Sequence, residues 1–227
     1  LPPERFRRLV LEAQRSGRLP SISSAVFRGK EVEWTDALGL ADVEQRGEAT
    51  PETQYACASI TKTFTAASIL QLRDAGKLDL EDPLSRHLPE AAHGTPTLRR
   101  LLSHASGLQR EPPGAVWETL EFPGEQELLE RLGEAEQVLP PSTAWHYSNL
   151  AYALLGHVVT HVSGQPFHDY VRGRLFAPVG LERTTWGPGE TAALPYFVEC
   201  DVEQQFEFGL DLLIDGLRSR PRVPEGA

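Results

Sequence analysis

Methionine is absent from this chain, asparagine occurs once, cysteine twice and lysine three times. Each shortage excludes something. Without methionine, the chain is expected to be processed, trimmed or a piece of a longer protein. Two cysteines in 227 residues make no disulfide framework. Cys57 and Cys200 can pair only if the fold brings their Cα atoms within about 7 Å. No apolar run approaches the roughly 20 residues of a membrane-spanning helix, the best being the interrupted stretch from Ala66 to Leu72. No transmembrane segment is therefore expected. Positive charge is in the minority, with 22 Lys and Arg against 32 Asp and Glu for a net charge of −10. That balance lacks the basic footprint of a nucleic-acid partner. Apart from His104 and His146, the histidines are read as carrying no paired spacing that suggests a metal site, and neither metal nor cofactor is expected. No signal peptide is visible at Leu1. Compartment, whether cytoplasmic or exported with a leader removed, and oligomeric state are left open.

What is present is ordinary in bulk. A hydrophobic content of 40% and a charged content of 24% argue for a packed globular chain. Apolar spacing predicts an amphipathic helix from Pro3 to Gly17, then strands from Ile22 to Phe27 and Glu31 to Leu38 joined by Arg28-Gly29-Lys30 as a hairpin. The pattern then turns helical, from Ser59 to Asp74, Leu98 to Leu102, Glu125 to Leu132, Leu150 to Ser163 and Phe167 to Phe176. Only Phe206 to Ile214 regains strand character. A two-stranded hairpin is marginal alone. Its natural partners are at the other end of the chain, which gives an α+β layout with an antiparallel sheet built from both chain ends and an inserted helical region. The expected division is 1–54 for the first helix and strands, 55–190 for the helical region and 191–227 for a partial return to the sheet.

Two short motifs carry chemistry. The first is Ser59-Ile60-Thr61-Lys62. At i and i+3 on a helix two side chains share a face, about 5–6 Å apart at Cβ. A serine hydroxyl is a weak nucleophile until a base takes its proton, and a lysine can act as that base where an arginine cannot. With nineteen of the 22 basic positions written as arginine, a lysine here points to chemistry that arginine cannot replace. The bland reading is a helix-capping Ser59 and a solvated Lys62. The second motif is Tyr147-Ser148-Asn149. Tyrosine relays protons when cations lower its pKa, and an asparagine amide both donates and accepts. Here the bland reading is a packed tyrosine with Asn149 capping the helix that follows. Against it stands the rarity of asparagine, since the single one in the chain falls in this triplet.

Further words appear in a fixed order: Gly76-Lys77-Leu78-Asp79-Leu80-Glu81-Asp82-Pro83, Leu101-Leu102-Ser103-His104-Ala105-Ser106-Gly107-Leu108, Gly164-Gln165-Pro166-Phe167 and Pro178-Val179-Gly180-Leu181. With Ser59-Ile60-Thr61-Lys62 and Tyr147-Ser148-Asn149 they make the chain, from about Ser24 to Trp186, resemble the serine β-lactamase and penicillin-binding-protein superfamily. The resemblance is to its class C β-lactamase, D-alanyl-D-alanine peptidase and esterase branch. It implies a β-lactamase/transpeptidase-like fold and a serine hydrolase acting through an acyl-serine intermediate. The substrate would be a small molecule or short peptide, namely a β-lactam, a D-amino-acid peptide or a carboxylic ester. Ser59, Lys62 and Tyr147 would be catalytic, Asn149 would hold the substrate amide or orient Lys62, and the Ser59 backbone N–H would supply one arm of the oxyanion hole. His104 falls where the family has a structural turn, and His146 is read as a packing residue.

One family motif is missing. No Lys/His-x-Gly follows Tyr147-Ser148-Asn149, the nearest analogue being Pro224-Glu225-Gly226. The C-terminal part of the sheet is therefore expected to be missing from this sequence. The alternative is a degenerate homologue, a non-hydrolytic penicillin-binding or regulatory module.

Overall fold

The computed structural model describes residues 3–119, 123–185 and 199–200. The chain divides into two compact units, one with described residues in 3–56, 181–185 and 199–200, the other in 57–119 and 123–180.

The first unit begins with helix α1 (Pro3–Gly17), followed by strands β1 (Ser21–Arg28) and β2 (Glu31–Asp42), which pair antiparallel from Ser21 opposite Gly39 to Arg28 opposite Glu31. The hairpin falls where the Arg28-Gly29-Lys30 signal places it, and Gly29 takes the left-handed φ of +65° the turn needs. The register shifts between Val26 and Phe27, a bulge that twists the pair. The short strand β3 (Gly47–Glu48) adds to the outer end of β2. Gly39 has no alternative residue, because its φ is +87° and a Cβ would sit 2.1 Å from the Pro20 carbonyl oxygen. Helix α1 lies on this sheet through Phe6, whose ring centroid is 5.5 Å from that of Trp34, and through an Arg7–Asp36 ion pair. Strand β4 (Tyr55–Ala56) pairs antiparallel with β5 (Glu199–Cys200), so strands from both ends of the chain meet in one ladder. The strand character read from Phe206 to Ile214 and the Pro224-Glu225-Gly226 analogue lie outside the described residues.

The second unit is helical. It contains α2 (Thr61–Asp74), α3 (Leu84–His87), α4 (Leu98–Leu102), α5 (Val116–Thr119), α6 (Glu125–Arg131), α7 (Asn149–Ser163) and α8 (Phe167–Val171), which runs on as a wider π-type turn over Arg172–Phe176. Helix α7 is its axis. Every residue from Asn149 to Val159 is buried, so this stretch of the helix is enclosed on all sides rather than along one stripe. Helices α2, α4, α8 and α3 pack around it. Helix α2 contributes Phe64, Ile69 and Leu72, each almost fully buried, and Phe64 meets Phe176 edge-on at 5.0 Å. Its buried Ser68 is satisfied by donating to the Phe64 carbonyl at 2.8 Å, as a hydroxyl inside a helix must be. Asp82, just before α3, is buried and accepts from the Asp79 N–H, His87 and Arg86. The Asp79 backbone bond above all, then these two partners, outweigh burial and hold its carboxyl below the usual range. Cys57 is buried and disulfide-bonded rather than a free thiol. Among the described residues no helix is long and apolar enough to cross a membrane.

Candidate active site

Ser59 stands in a single tight turn, Ala58–Ile60, immediately ahead of α2 rather than inside it. Ala58 carries a φ of +44°, a left-handed conformation that costs a residue with a Cβ about 1–3 kcal/mol. The strain turns the chain sharply and leaves the Ser59 side chain exposed at the helix entrance. Ser59 is not a helix cap, because its hydroxyl is engaged by the Tyr147 hydroxyl, which donates to Ser59 Oγ at 2.8 Å. Lys62, one turn on and half-buried, donates through Nζ to Asn149 Oδ1 at 2.6 Å and lies 5.0 Å from the centre of the Tyr147 ring. All four residues singled out by the two motifs therefore meet, and the described contacts put Tyr147, not Lys62, on the serine hydroxyl.

The start of α7 explains how the second motif reaches the first. Its N-cap is Ser148, not Asn149. The Ser148 hydroxyl accepts from the Ala151 N–H at 3.0 Å and donates to the Gln109 carbonyl at 2.7 Å. The Arg110 carbonyl receives the N–H groups of Asn149 and Leu150 at 2.6 and 3.2 Å. With the cap supplied by its neighbour, the Asn149 side chain turns toward Lys62. Behind these contacts, the turn from Ser106 to Leu108 depends on Gly107, whose φ is +75° and where a Cβ would come 1.9 Å from the Leu139 carbonyl oxygen.

Three charged or aromatic neighbours complete the site, and motif reading did not place any of them there. Arg110 lies with Cζ 5.1 Å from the centre of the Tyr147 ring. Glu111 places both carboxylate oxygens 2.9 Å from Asn149 Nδ2. The His104 ring stacks 4.5 Å from that of Tyr147, and its Nδ1 accepts from the Ser148 N–H at 3.1 Å. No periodicity links residues 104, 110 and 111 to 147–149. The one signal available was the turn motif at Ser103–Leu108, which brings the following residues alongside the start of α7. His104 serves the turn, as read from the sequence, and braces Tyr147 as well.

The electrostatics follow from this packing. Burial alone pushes the Tyr147 phenol up. Hydrogen bonds with Lys62 and Ser59, together with the positive charges of Lys62 and Arg110, overrule burial and leave it below its ordinary 10.0. His104 is held below its ordinary 6.5, first because burial disfavours the imidazolium and then because Lys62 repels it. The Tyr152 hydroxyl donates to the Leu102 carbonyl at 2.8 Å, and burial pushes its phenol above the ordinary 10.0. The two phenols near Lys62 are thus shifted in opposite directions, Tyr147 down and Tyr152 up.

Known proteins resemble this chain in sequence and in fold. A family model described as Beta-lactamase matches residues 6–196. Beta-lactamase-like protein 2 of Dictyostelium discoideum is 33% identical over an alignment of 180 residues that covers 73% of this chain and 32% of that protein. The octameric penicillin-binding protein homologue from Pyrococcus abyssi superposes with a TM-score of 0.80 at 21% identity, covering 97% of this chain and 57% of that one. At that identity the likeness is one of fold, and the fold is β-lactamase/transpeptidase-like. The D-amino acid amidase from Ochrobactrum anthropi SV3 gives a TM-score of 0.71 at 28% identity, covering 81% of this chain and 52% of that one. The chain spans about a third of the length of the curated relatives it matches.

Proposed function

Because the chain belongs to the Beta-lactamase family, we propose that it is a serine hydrolase that forms an acyl-serine intermediate on small amides or esters. β-Lactams, D-amino-acid peptides and carboxylic esters are the substrate classes. The observation that carries this reading is the 2.8 Å contact between Tyr147 Oη and Ser59 Oγ, with Lys62 beside the phenol. In its phenolate form Tyr147 accepts the proton of Ser59 as Oγ attacks the carbonyl carbon. It then returns that proton to the leaving nitrogen or oxygen as the carbonyl carbon–heteroatom bond breaks. Lys62 and Arg110 supply the positive charge that stabilises the phenolate. A water, deprotonated by the same phenolate, attacks the acyl carbon, and Ser59 takes the proton back as it leaves. Amides gain support as substrates from the D-amino acid amidase likeness.

The test is hydrolysis of nitrocefin and p-nitrophenyl acetate, with intact-mass detection of a penicilloyl adduct. Turnover that disappears in Ser59→Ala is the expected result. Equal turnover by variant and parent overturns the assignment. A stable adduct without turnover replaces hydrolase by a penicillin-binding module.

A further inference from the structure

Asn149 has one amide and two charged neighbours. Its Oδ1 is 2.6 Å from the Lys62 ammonium, and its Nδ2 is 2.9 Å from both oxygens of Glu111. Rotating the amide by half a turn would set carbonyl against carboxylate and NH2 against ammonium, losing every one of these bonds and facing like partners. The orientation is therefore held from both ends, and the anionic end is Glu111. Its own placement is rigid. The carbonyls of Gln109 and Arg110 are bonded to Ser148, Asn149 and Leu150, and Arg110 Nε donates to Glu111 Oε1 at 3.1 Å. The carboxylate is mostly covered, with 21% of its side chain exposed, so its bonds to Asn149 compete little with water.

We infer that Glu111 is a positioning residue, which locks the Asn149 amide with its carbonyl toward Lys62 by holding the amide NH2 against a carboxylate. Glu111 touches neither Ser59 nor Tyr147 among the described contacts. It acts through Asn149 on Lys62, and through Lys62 on the phenol. Of the two roles open to Asn149 from sequence, orienting Lys62 is the one this arrangement serves, because the amide carbonyl faces the ammonium.

The only asparagine in the chain makes the inference directly observable. With asparagine-selective 15N labelling, a single side-chain NH2 pair reports on Asn149, whether or not the protein turns anything over. The pair is expected to show slowed solvent exchange and two well-separated proton shifts in the parent. Glu111→Ala should collapse both toward free-amide values, and Glu111→Gln, which keeps one accepting oxygen, should lie between. An NH2 pair that does not change in either folded variant overturns the inference.

A kinetic arm rests on the acyl-serine reading and tests the functional consequence with p-nitrophenyl acetate. Glu111→Ala should lower kcat about 10- to 100-fold with KM little changed, the scale of a misplaced catalytic group. The same substitution in an Asn149→Ala background should have no further effect, because the path through the amide is already cut. An equal loss in both backgrounds refutes action through Asn149. Absent turnover by the parent counts against the hydrolase reading, while the amide resonance still decides the Glu111 inference.

Discussion

Helix α7 is buried at every residue from Asn149 to Val159, whereas strand β1 has no buried residue along its length. The two stretches belong to different units and show two ways of using apolar sequence. The helical unit closes a core on itself, with Leu150, Leu154, Leu155 and Val158 at 0% exposure beside Phe64 and Ile69 of α2. In the strand-bearing unit Leu38 and Ala49 are buried, but most sheet side chains are half-covered. Every residue proposed for chemistry sits in the helical unit. A site held to tenths of an ångström needs side chains whose neighbours cannot move, and dense packing provides that.

Several measurements can break or sharpen this contrast. Tyr147→Phe removes the group on the Ser59 hydroxyl and should lower hydrolysis of p-nitrophenyl acetate about 10²- to 10⁴-fold with the thermal midpoint little changed. A small effect would move the proton transfer to Lys62. Leu155→Ala, at the fully buried axis, should cost about 2–5 kcal/mol by urea unfolding. Ser148→Ala removes the cap of α7 and one anchor of the 109–111 segment, for a loss of about 1–2 kcal/mol and a fall in activity greater than the stability change explains. Val26→Ala on half-covered β1 should cost about 1 kcal/mol or less. If it matched Leu155→Ala, the contrast between the units would fail.

The smallest effect is one of pH. Because folding lowers the His104 pKa from 6.5, the unfolded chain binds that proton first. Stability is therefore intact above about 6.5 and declines as the pH falls below it. His104→Gln should flatten this part of the thermal midpoint against pH curve. An unchanged slope would assign the acid sensitivity to another group.

Much of the fold was legible before any coordinate. The hairpin at Gly29 and helix α4 lie where turn chemistry and apolar spacing place them, because each is decided by residues close in sequence. Helix α7 begins one residue ahead of the span predicted from Leu150, and its cap is Ser148 rather than the Asn149 of the bland reading. Local pattern cannot tell which of Ser148 and Asn149 turns back to the helix, since the answer depends on what lies across from each. Likewise Ser59 falls one turn ahead of α2 through the left-handed φ at Ala58, which nothing in the pattern announced.

The site divides along the same line. Residue scarcity and order singled out Ser59, Lys62, Tyr147 and Asn149, because chemistry demands specific residue types and a depleted alphabet makes them visible. What tertiary structure alone decided is who touches whom. Tyr147 holds the Ser59 hydroxyl, Asn149 faces Lys62, and Glu111 closes the chain from a loop 38 positions away from Asn149. Hydrogen bonds act over about 3 Å in space and carry no trace of sequence distance, so such a partner is found only once the backbone has been folded around it.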